Sequence, residues 1–201
     1  MQTTSGLIAE DVKVLRRTLN HLEDERKNWK VIRRKELVGL RKIDPLQAVE
    51  KDTWFHLACN SCEQSLYCLK RMCEPSLEHV DNNFNPLSRE CIEEILPVKK
   101  KIVDYLMRSE RIVEDRDYEH IDALLAEEEA YKQQLSEMRR AQEDRIQMDL
   151  SQGLKVSLVY LNLLQETQEL LSDLRHYLRA FKRFQHCLLY TSPSPRDYAA
   201  S

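Results

Sequence analysis

Glycine is almost absent from this chain, and proline is scarce. The 201 residues contain three glycines and six prolines, too few for the many tight turns that a sheet protein of this length needs. A glycine-rich phosphate loop has almost nothing to be built from. No run of about 18 uncharged apolar residues occurs, although a membrane-spanning helix needs one. Polar residues follow Met1, so a signal peptide is not expected.

An excess of charge of either sign is also missing. The chain has 31 basic and 34 acidic residues, and its net charge of -3 disfavours a nucleic-acid-binding protein. Hydrophobic residues make up 42% and charged residues 32%. The chain can therefore bury one good core, or two small bundles that share one.

Hydrophobic spacing predicts an all-α fold, an antiparallel bundle of about five long helices. Ser88 and Asp117 are the expected N-caps of the third and fourth helices. Pro97 is expected to kink the third helix, because it removes a backbone hydrogen bond. The predicted helices cover residues 8–43, 45–81, 89–114, 118–149 and 153–186.

Apolar residues three or four apart predict which face of each helix is buried. Ile32 of the first helix and Leu96 of the third are expected inward, and Glu128 of the fourth is expected on a solvated face. In the last helix we expect Leu174 in the core and Asp173 at its solvent-exposed edge. The last helix has the longest stripe: Val156, Tyr160, Leu163, Thr167, Leu170, Leu174, Tyr177, Phe181 and Phe184.

The end of the chain differs from what precedes it. Helical spacing stops near His186, and two prolines follow. The string 187–197 looks like the translation of a transposase adapter used to prepare sequencing libraries. We therefore expect 187–201 to be a disordered remnant, and 1–186 to be a helical domain from a longer chain. A natural disordered tail is the alternative that composition permits.

Four of the six cysteines crowd into residues 59–73. Neighbours on one helix make a poor disulfide framework, so reduced cytosolic thiols are expected. Cys59 and Cys62, with His56 one turn earlier, have a spacing that zinc can use. No second pair of ligands recurs, however, and both thiols lie on the apolar stripe. We therefore favour core packing and assign no metal ligand.

Two Asp-x-x-His pairs, Asp117/His120 and Asp173/His176, resemble part of a carboxylate-bridged iron site. Asp117 is already an expected cap, and the second pair flanks the apolar stripe. The sequence contains no P-loop, nucleophile elbow or HExxH motif. We therefore predict that the protein is not an enzyme, with no catalytic, cofactor-binding or metal residues and no cofactor.

Basic residues cluster in the first helix. A solvated helix face is the favoured interpretation, since Asp24, Glu25 and Glu36 are interleaved. Attraction to an anionic membrane surface is the functional alternative. Nucleic acid is a poorer choice, because no aromatic platform accompanies the charges. The cluster consists of Arg26, Lys27, Lys30, Arg33, Arg34, Lys35, Arg41 and Lys42.

Three runs, at 53–71, 78–86 and 154–171, are similar to one known family. They look like the C-terminal PhoU-like region of sodium/phosphate cotransporter family proteins of gut-type Bacteroidetes. The resemblance covers about residues 12–184. It implies a bundle on the cytoplasmic side of the inner membrane, following a membrane domain that carries sodium and phosphate.

PhoU proteins contain two three-helix repeats, each with a Glu/Asp-x-x-x-Asp motif that can hold metal clusters. This sequence departs from that motif, with Asn60 and Gln64 in the first repeat and Gln165 and Glu169 in the second. Amides are weak ligands for iron or zinc, so the metal site is not carried over.

The resemblance implies a regulatory or interaction domain of a sodium-dependent phosphate transporter, which acts through helix–helix contacts. The expected partner is the membrane transporter domain in cis, and a homodimer stays open. One alternative is a stand-alone PhoU-like regulator that docks onto phosphate-transport machinery or a signalling kinase. Another, of a different class, is a metal-binding helical enzyme.

Overall fold

The computed structural model describes the backbone of residues 2–40, 45–148 and 153–189, and the side chains of most of them. These residues form six α-helices and one 3-10 turn, and no strand occurs among them. The all-α prediction is therefore confirmed. The helices are α1 (Gln2–Ile8), α2 (Val12–Leu40), α3 (Pro45–Asp81), α4 (Arg89–Glu114), α5 (Ile121–Met148) and α6 (Leu154–Leu189), and Tyr118–His120 forms the 3-10 turn.

The helices form two groups of three. In each group, α1–α2–α3 and α4–α5–α6, every helix contacts the other two. The most extensive contact of all joins α3 to α6, the last helix of each group. Cross-helix pairs such as Lys70–Glu23 and Arg71–Glu166 show that α3 runs antiparallel to both α2 and α6. Pairs between α4, α5 and α6 likewise show that α2, α4 and α6 all point the same way.

The prediction missed α1, and α2 begins at Val12 rather than at residue 8. A turn separates α1 from α2, and Glu10 there has a φ of 51°. The Asp11 carboxylate accepts a hydrogen bond from the amide of Val14 at 3.0 Å, which gives α2 its own N-terminal cap. Gly6 lets α1 lie close to α2, since a Cβ there would come within 2.8 Å of Leu15. The single helix predicted for 8–43 was therefore wrong at its start.

The start of α4 was predicted correctly, and that of α5 was not. The Ser88 hydroxyl accepts from the amide of Cys91 at 3.2 Å, as a helix cap does. Asp117 makes no side-chain capping bond, and its carboxylate binds the ring of His120 instead. A 3-10 turn therefore precedes α5. The α4 helix runs through Pro97, and α3 runs through Pro75.

The end of α6 lies beyond the predicted boundary at 186, because the helix continues to Leu189. The beginning of this helix matches the prediction: Gly153, with a φ of 80°, comes immediately before Leu154. The predicted remnant 187–201 overlaps the last three residues of α6. The rest of that segment lies outside the described residues.

The core runs through both groups and is densest along α6. The first five residues of the predicted stripe of α6 are buried, but Leu174, Tyr177, Phe181 and Phe184 are only partly buried. The fully buried leucines of α6 are Leu164, Leu171 and Leu178. Two other predicted core residues are exposed: Ile32 by 49% and Leu96 by 45%. On α4 the buried face lies next to the predicted one and consists of Cys91, Ile95, Val98, Ile102, Tyr105 and Ser109.

Candidate functional site

The joint between α3 and α6 carries a charged pair. Arg71 of α3 places its Nε 2.9 Å from both carboxylate oxygens of Glu166 on α6. Its Nη2 lies 2.8 Å from one of them and donates to the sulfur of Cys68 at 3.2 Å. The Glu166 side chain is almost buried, and a paired geometry of this kind fixes position as well as charge. The pair therefore sets the register of the two central helices.

One turn along the same joint, a thiol meets a carboxylate. The Sγ of Cys68 donates to Oδ2 of Asp173 at 3.3 Å. Burial raises the pKa of Cys68 to about 12 and also raises the pKa of Asp173. His176, the other half of the Asp-x-x-His pair, is exposed. Asp173 is thus half-buried and bonded, which corrects the prediction that it faces solvent.

The cysteines on the described residues are free thiols. Cys59 and Cys73 are buried, as predicted, and Cys62 is half-buried. Burial raises the pKa of Cys59, and it raises the pKa of Cys62 to about 12. His56 pairs with Asp52 at 3.3 Å. Within the described part of the chain, no group of three metal-ligating side chains comes together.

The other Asp-x-x-His pair is a local contact on the surface. Nδ1 of His120 lies 2.7 Å from both carboxylate oxygens of Asp117. This hydrogen bond raises the pKa of His120. The two Asp-x-x-His pairs lie in different parts of the bundle. They therefore do not form the shared site that a carboxylate-bridged metal centre requires.

The positions that correspond to the PhoU metal motif show no carboxylate cluster either. Asn60 and Gln64 of α3 are exposed. Gln165 of α6 donates to Glu169 at 2.8 Å and accepts a hydrogen bond from Arg139. The Gln165 amide thus bonds neighbouring side chains on α5 and α6.

A polar network inside the second group was missed from the sequence. Arg145 of α5 donates to both carboxylate oxygens of Glu94 on α4, at 2.8 and 2.9 Å. The same carboxylate accepts from the hydroxyl of Tyr160 on α6 at 3.1 Å. Gln142 is buried and donates to Ser157 at 3.0 Å. In the sequence, each of these residues looks like an ordinary polar position. The network forms only when the three helices α4, α5 and α6 pack together.

A buried acid at the other end of that group was also missed. Glu128 of α5 is fully buried and contacts Arg175 at 3.2 Å and Lys132 at 3.8 Å. Its second oxygen and the hydroxyl of Tyr105 make no hydrogen bond, although both are buried. Burial raises the pKa of Glu128. The prediction that the Glu128 side chain is solvated was wrong. The side chain of its neighbour Glu129 is exposed.

The basic cluster of α2 is partly neutralised. Arg26 stacks 4.0 Å above the ring of Tyr67, Lys27 pairs with Asp24 at 2.9 Å, and Arg33 pairs with Glu63 at 2.9 Å. These contacts favour a structural role for part of the cluster. The cations of Lys30, Arg34 and Lys35 are exposed and make no ion pair with a described residue. Arg41 and Lys42 lie outside the described residues.

Apolar side chains accompany these free cations. Val31 and Val38 are 54% and 57% exposed, and they lie seven residues apart on the same side of α2. We call this surface, Val31, Arg34, Lys35 and Val38, the basic ridge. Two exposed valines are ordinary on a helix surface, so the ridge by itself does not identify a partner.

A groove of about 530 Å³ opens between α4 and α6. Met107, which is 50% exposed, stands on its wall, and Glu110 and Glu114 lie along its rim. Neither glutamate makes an ion pair with a described residue. We call this feature the acidic groove. Its apolar lining consists of Val103, Leu106, Met107, Val113, Leu174 and Tyr177.

A smaller pocket of about 190 Å³ lies between α2, α3 and α6. Trp29, Phe55, Phe181 and Phe184 line it, and Tyr177 separates it from the acidic groove by lining both. The pocket has no charged residue in its wall, so its lining belongs to the apolar packing between the first group and α6.

None of the described helices has a stretch that is long and apolar enough to cross a bilayer. No family model, no curated protein and no solved structure matches the chain. The similarity to the PhoU-like region therefore rests on the three sequence runs alone, and the function that it implies is a proposal.

Proposed function

We propose that this chain is the regulatory and interaction domain of a sodium-dependent phosphate transporter, on the cytoplasmic side of the inner membrane. The domain acts through helix–helix contacts rather than by catalysis. One observation carries the proposal. The resembling runs 53–71 and 154–171 lie on α3 and α6, the two helices whose contact is the most extensive in the bundle.

The grouping of the helices supports the same proposal. A PhoU-like region is expected to contain two three-helix repeats. Here α1–α2–α3 and α4–α5–α6 are each in mutual contact and are joined by their last helices. The resembling run 78–86 covers the turn that leads from the first group to the second.

In the proposed regulation, a partner that binds one group of helices changes the position of the other group through the contact between α3 and α6. The Arg71–Glu166 pair and the Cys68–Asp173 contact fix that joint laterally. A ligand or partner that favours one packing of α3 on α6 would shift the equilibrium only by its differential affinity. We place the regulatory coupling at this joint.

Phosphate uptake tests the proposal. Cells that express a complete sodium/phosphate cotransporter of this family would also express the chain, and sodium-dependent uptake of labelled phosphate would be measured. We expect the folded chain to change the uptake rate. The variant Leu171→Asp, which places a carboxylate in the core and unfolds the bundle, should have no effect. Equal uptake with the chain, with the variant and with neither would contradict the proposal.

A further inference from the structure

We propose that the pocket between α2, α3 and α6 binds a small, uncharged aromatic molecule that carries a hydrogen-bond acceptor, such as an aryl ketone. We call this feature the aromatic pocket. Five of its seven lining side chains are aromatic: Trp29, Phe55, Tyr177, Phe181 and Phe184. This inference does not depend on the proposed role in phosphate transport.

Aromatic side chains are concentrated at this pocket. Its lining includes three of the four phenylalanines of the chain and one of its two tryptophans. The ring centroids of Phe55 and Phe184 lie 6.2 Å apart, and the rings of Tyr177 and Phe181 are stacked at 5.9 Å. These rings are only partly buried. A ligand ring that enters the pocket would therefore be flanked by partners at the distances that aromatic pairs prefer.

The volume of the pocket suits a single substituted ring. An apolar cavity of about 150 Å³ is enough to bind benzene, whereas drug-sized ligands occupy pockets of about 300 Å³ or more. The aromatic pocket, at about 190 Å³, is closer to the first of these sizes. It therefore has room for one ring with a substituent of about two or three heavy atoms.

The wall of the pocket disfavours a charged ligand. None of the lining side chains is charged, so neither a carboxylate nor an ammonium group would find a counter-ion there. Burial raises the pKa of Cys59 and raises the pKa of Tyr177 to about 12, so both groups are neutral at neutral pH. Because an unpaired charge is costly to remove from water, the favoured ligand is uncharged.

One hydrogen-bond donor in the wall lacks a partner. The Nε1 of Trp29 is buried and makes no hydrogen bond with a described residue. An indole nitrogen can only donate, and a buried donor without an acceptor is unfavourable. A carbonyl on the ligand would accept this hydrogen bond. A quaternary ammonium ion, which aromatic cages also bind, would leave the donor unpaired.

Fluorine NMR on the full chain measures the binding. The probe is para-fluoroacetophenone, a single ring with a carbonyl acceptor. Two matched compounds isolate its features: para-fluoroethylbenzene has nearly the same shape without the oxygen, and para-fluorobenzoate is charged at neutral pH. We expect the ketone to bind saturably with a Kd below about 1 mM. The benzoate should bind at least about tenfold more weakly.

The variant Trp29→Phe tests the hydrogen bond, because it keeps a ring in the wall and removes the donor. We expect it to weaken binding of the ketone about three- to tenfold more than binding of the ethyl compound. The ethyl compound controls for the change in the shape of the pocket.

The variant Ala58→Phe tests the location, since Ala58 lines the pocket and a phenylalanine there would fill it. It should abolish binding of both neutral compounds. The matched control is Ala141→Phe, the same change at an exposed position of α5, which should bind as the unmodified chain does. Circular dichroism checks that each variant is folded. If Ala58→Phe is not, nuclear Overhauser effects between the bound ketone and the Trp29 indole locate the ligand in the unmodified chain.

The proposal is overturned if the ketone does not bind saturably, if folded Ala58→Phe binds it as tightly as the unmodified chain, or if the benzoate binds equally well. Equal losses of the ketone and the ethyl compound in Trp29→Phe would contradict the acceptor. Displacement of the ketone by tetramethylammonium would assign the rings to a cation and also overturn the proposal.

Discussion

The Sγ of Cys68 on α3 lies 3.3 Å from Oδ2 of Asp173 on α6, and the thiol donates to the carboxylate. The contact crosses the joint between the two helix groups. Burial raises the pKa of both groups, so each is more readily protonated than in water. A residue that the sequence places at a solvent-exposed edge is thus part of the central interface.

A double-mutant cycle tests this contact. We expect Cys68→Ala and Asp173→Asn to be non-additive, with a coupling of about 0.5–1.5 kcal/mol in the free energy of unfolding, because each removes a partner of the same hydrogen bond. Urea unfolding of the two single variants and the double variant gives the coupling. Additivity within experimental error would mean that the two side chains do not interact in solution.

The centre of the core is tested by two leucines of α6. Leu171 is fully buried, whereas Leu158 is 53% exposed. We expect Leu171→Ala to lower the free energy of unfolding by about 2–5 kcal/mol, through lost burial and the cavity left behind. Leu158→Ala should change it by no more than about 0.5 kcal/mol. Similar melting temperatures for the two variants would show that α6 is rotated in its packing.

The buried acid predicts a pH dependence. Burial raises the folded-state pKa of Glu128, so its stabilising contribution is fully present below the unfolded value of about 4.3. That contribution is lost as the pH rises through the folded value. Glu128→Gln removes this titration. The melting temperature of the variant relative to the unmodified protein should therefore increase between about pH 4 and pH 8.

Glu137→Gln is the control for that experiment, since this carboxylate lies on the exposed face of the same helix. Its difference from the unmodified protein should change less over the same pH range than that of Glu128→Gln, because the exposed side chain has no buried environment to lose. A flat difference for Glu128→Gln would show that Glu128 is solvated.

The buried cysteines are expected to react slowly with thiol reagents. Burial raises the pKa of each of the five described cysteines, so the reactive thiolate is scarce at neutral pH. In a Cys187→Ala background, we expect Ellman's reagent to label these thiols slowly in the native protein and rapidly in urea. Stoichiometric zinc that is lost in Cys59→Ala/Cys62→Ala would contradict the structural role of this cysteine pair.

Most helix bounds could be predicted because local signals mark them. Pro45, Ser88 and Gly153 each act within one turn of the chain, and the structure places helix starts beside all three. Asp11 caps α2 in the same way, but it was not recognised as a cap. The rotation of a helix is harder to predict, since residues one position apart differ by only 100°.

The polar core could not be predicted for a different reason. The burial of Glu128 on α5 depends on Arg175 of α6, and the network of Arg145 on α5 depends on Glu94 of α4. No spacing within a single helix records such pairs. Composition and periodicity describe each helix separately, whereas these contacts form only in the packed bundle.

We propose that this bundle regulates a phosphate transporter that is encoded in the same chain. The most direct measurement is the DNA sequence upstream of the codon for Met1 in the source genome. We expect the reading frame to continue upstream and to encode several hydrophobic segments of about 20 residues, enough for a membrane domain. An in-frame stop codon directly upstream, with no such segments, would contradict the claim and favour a stand-alone regulator.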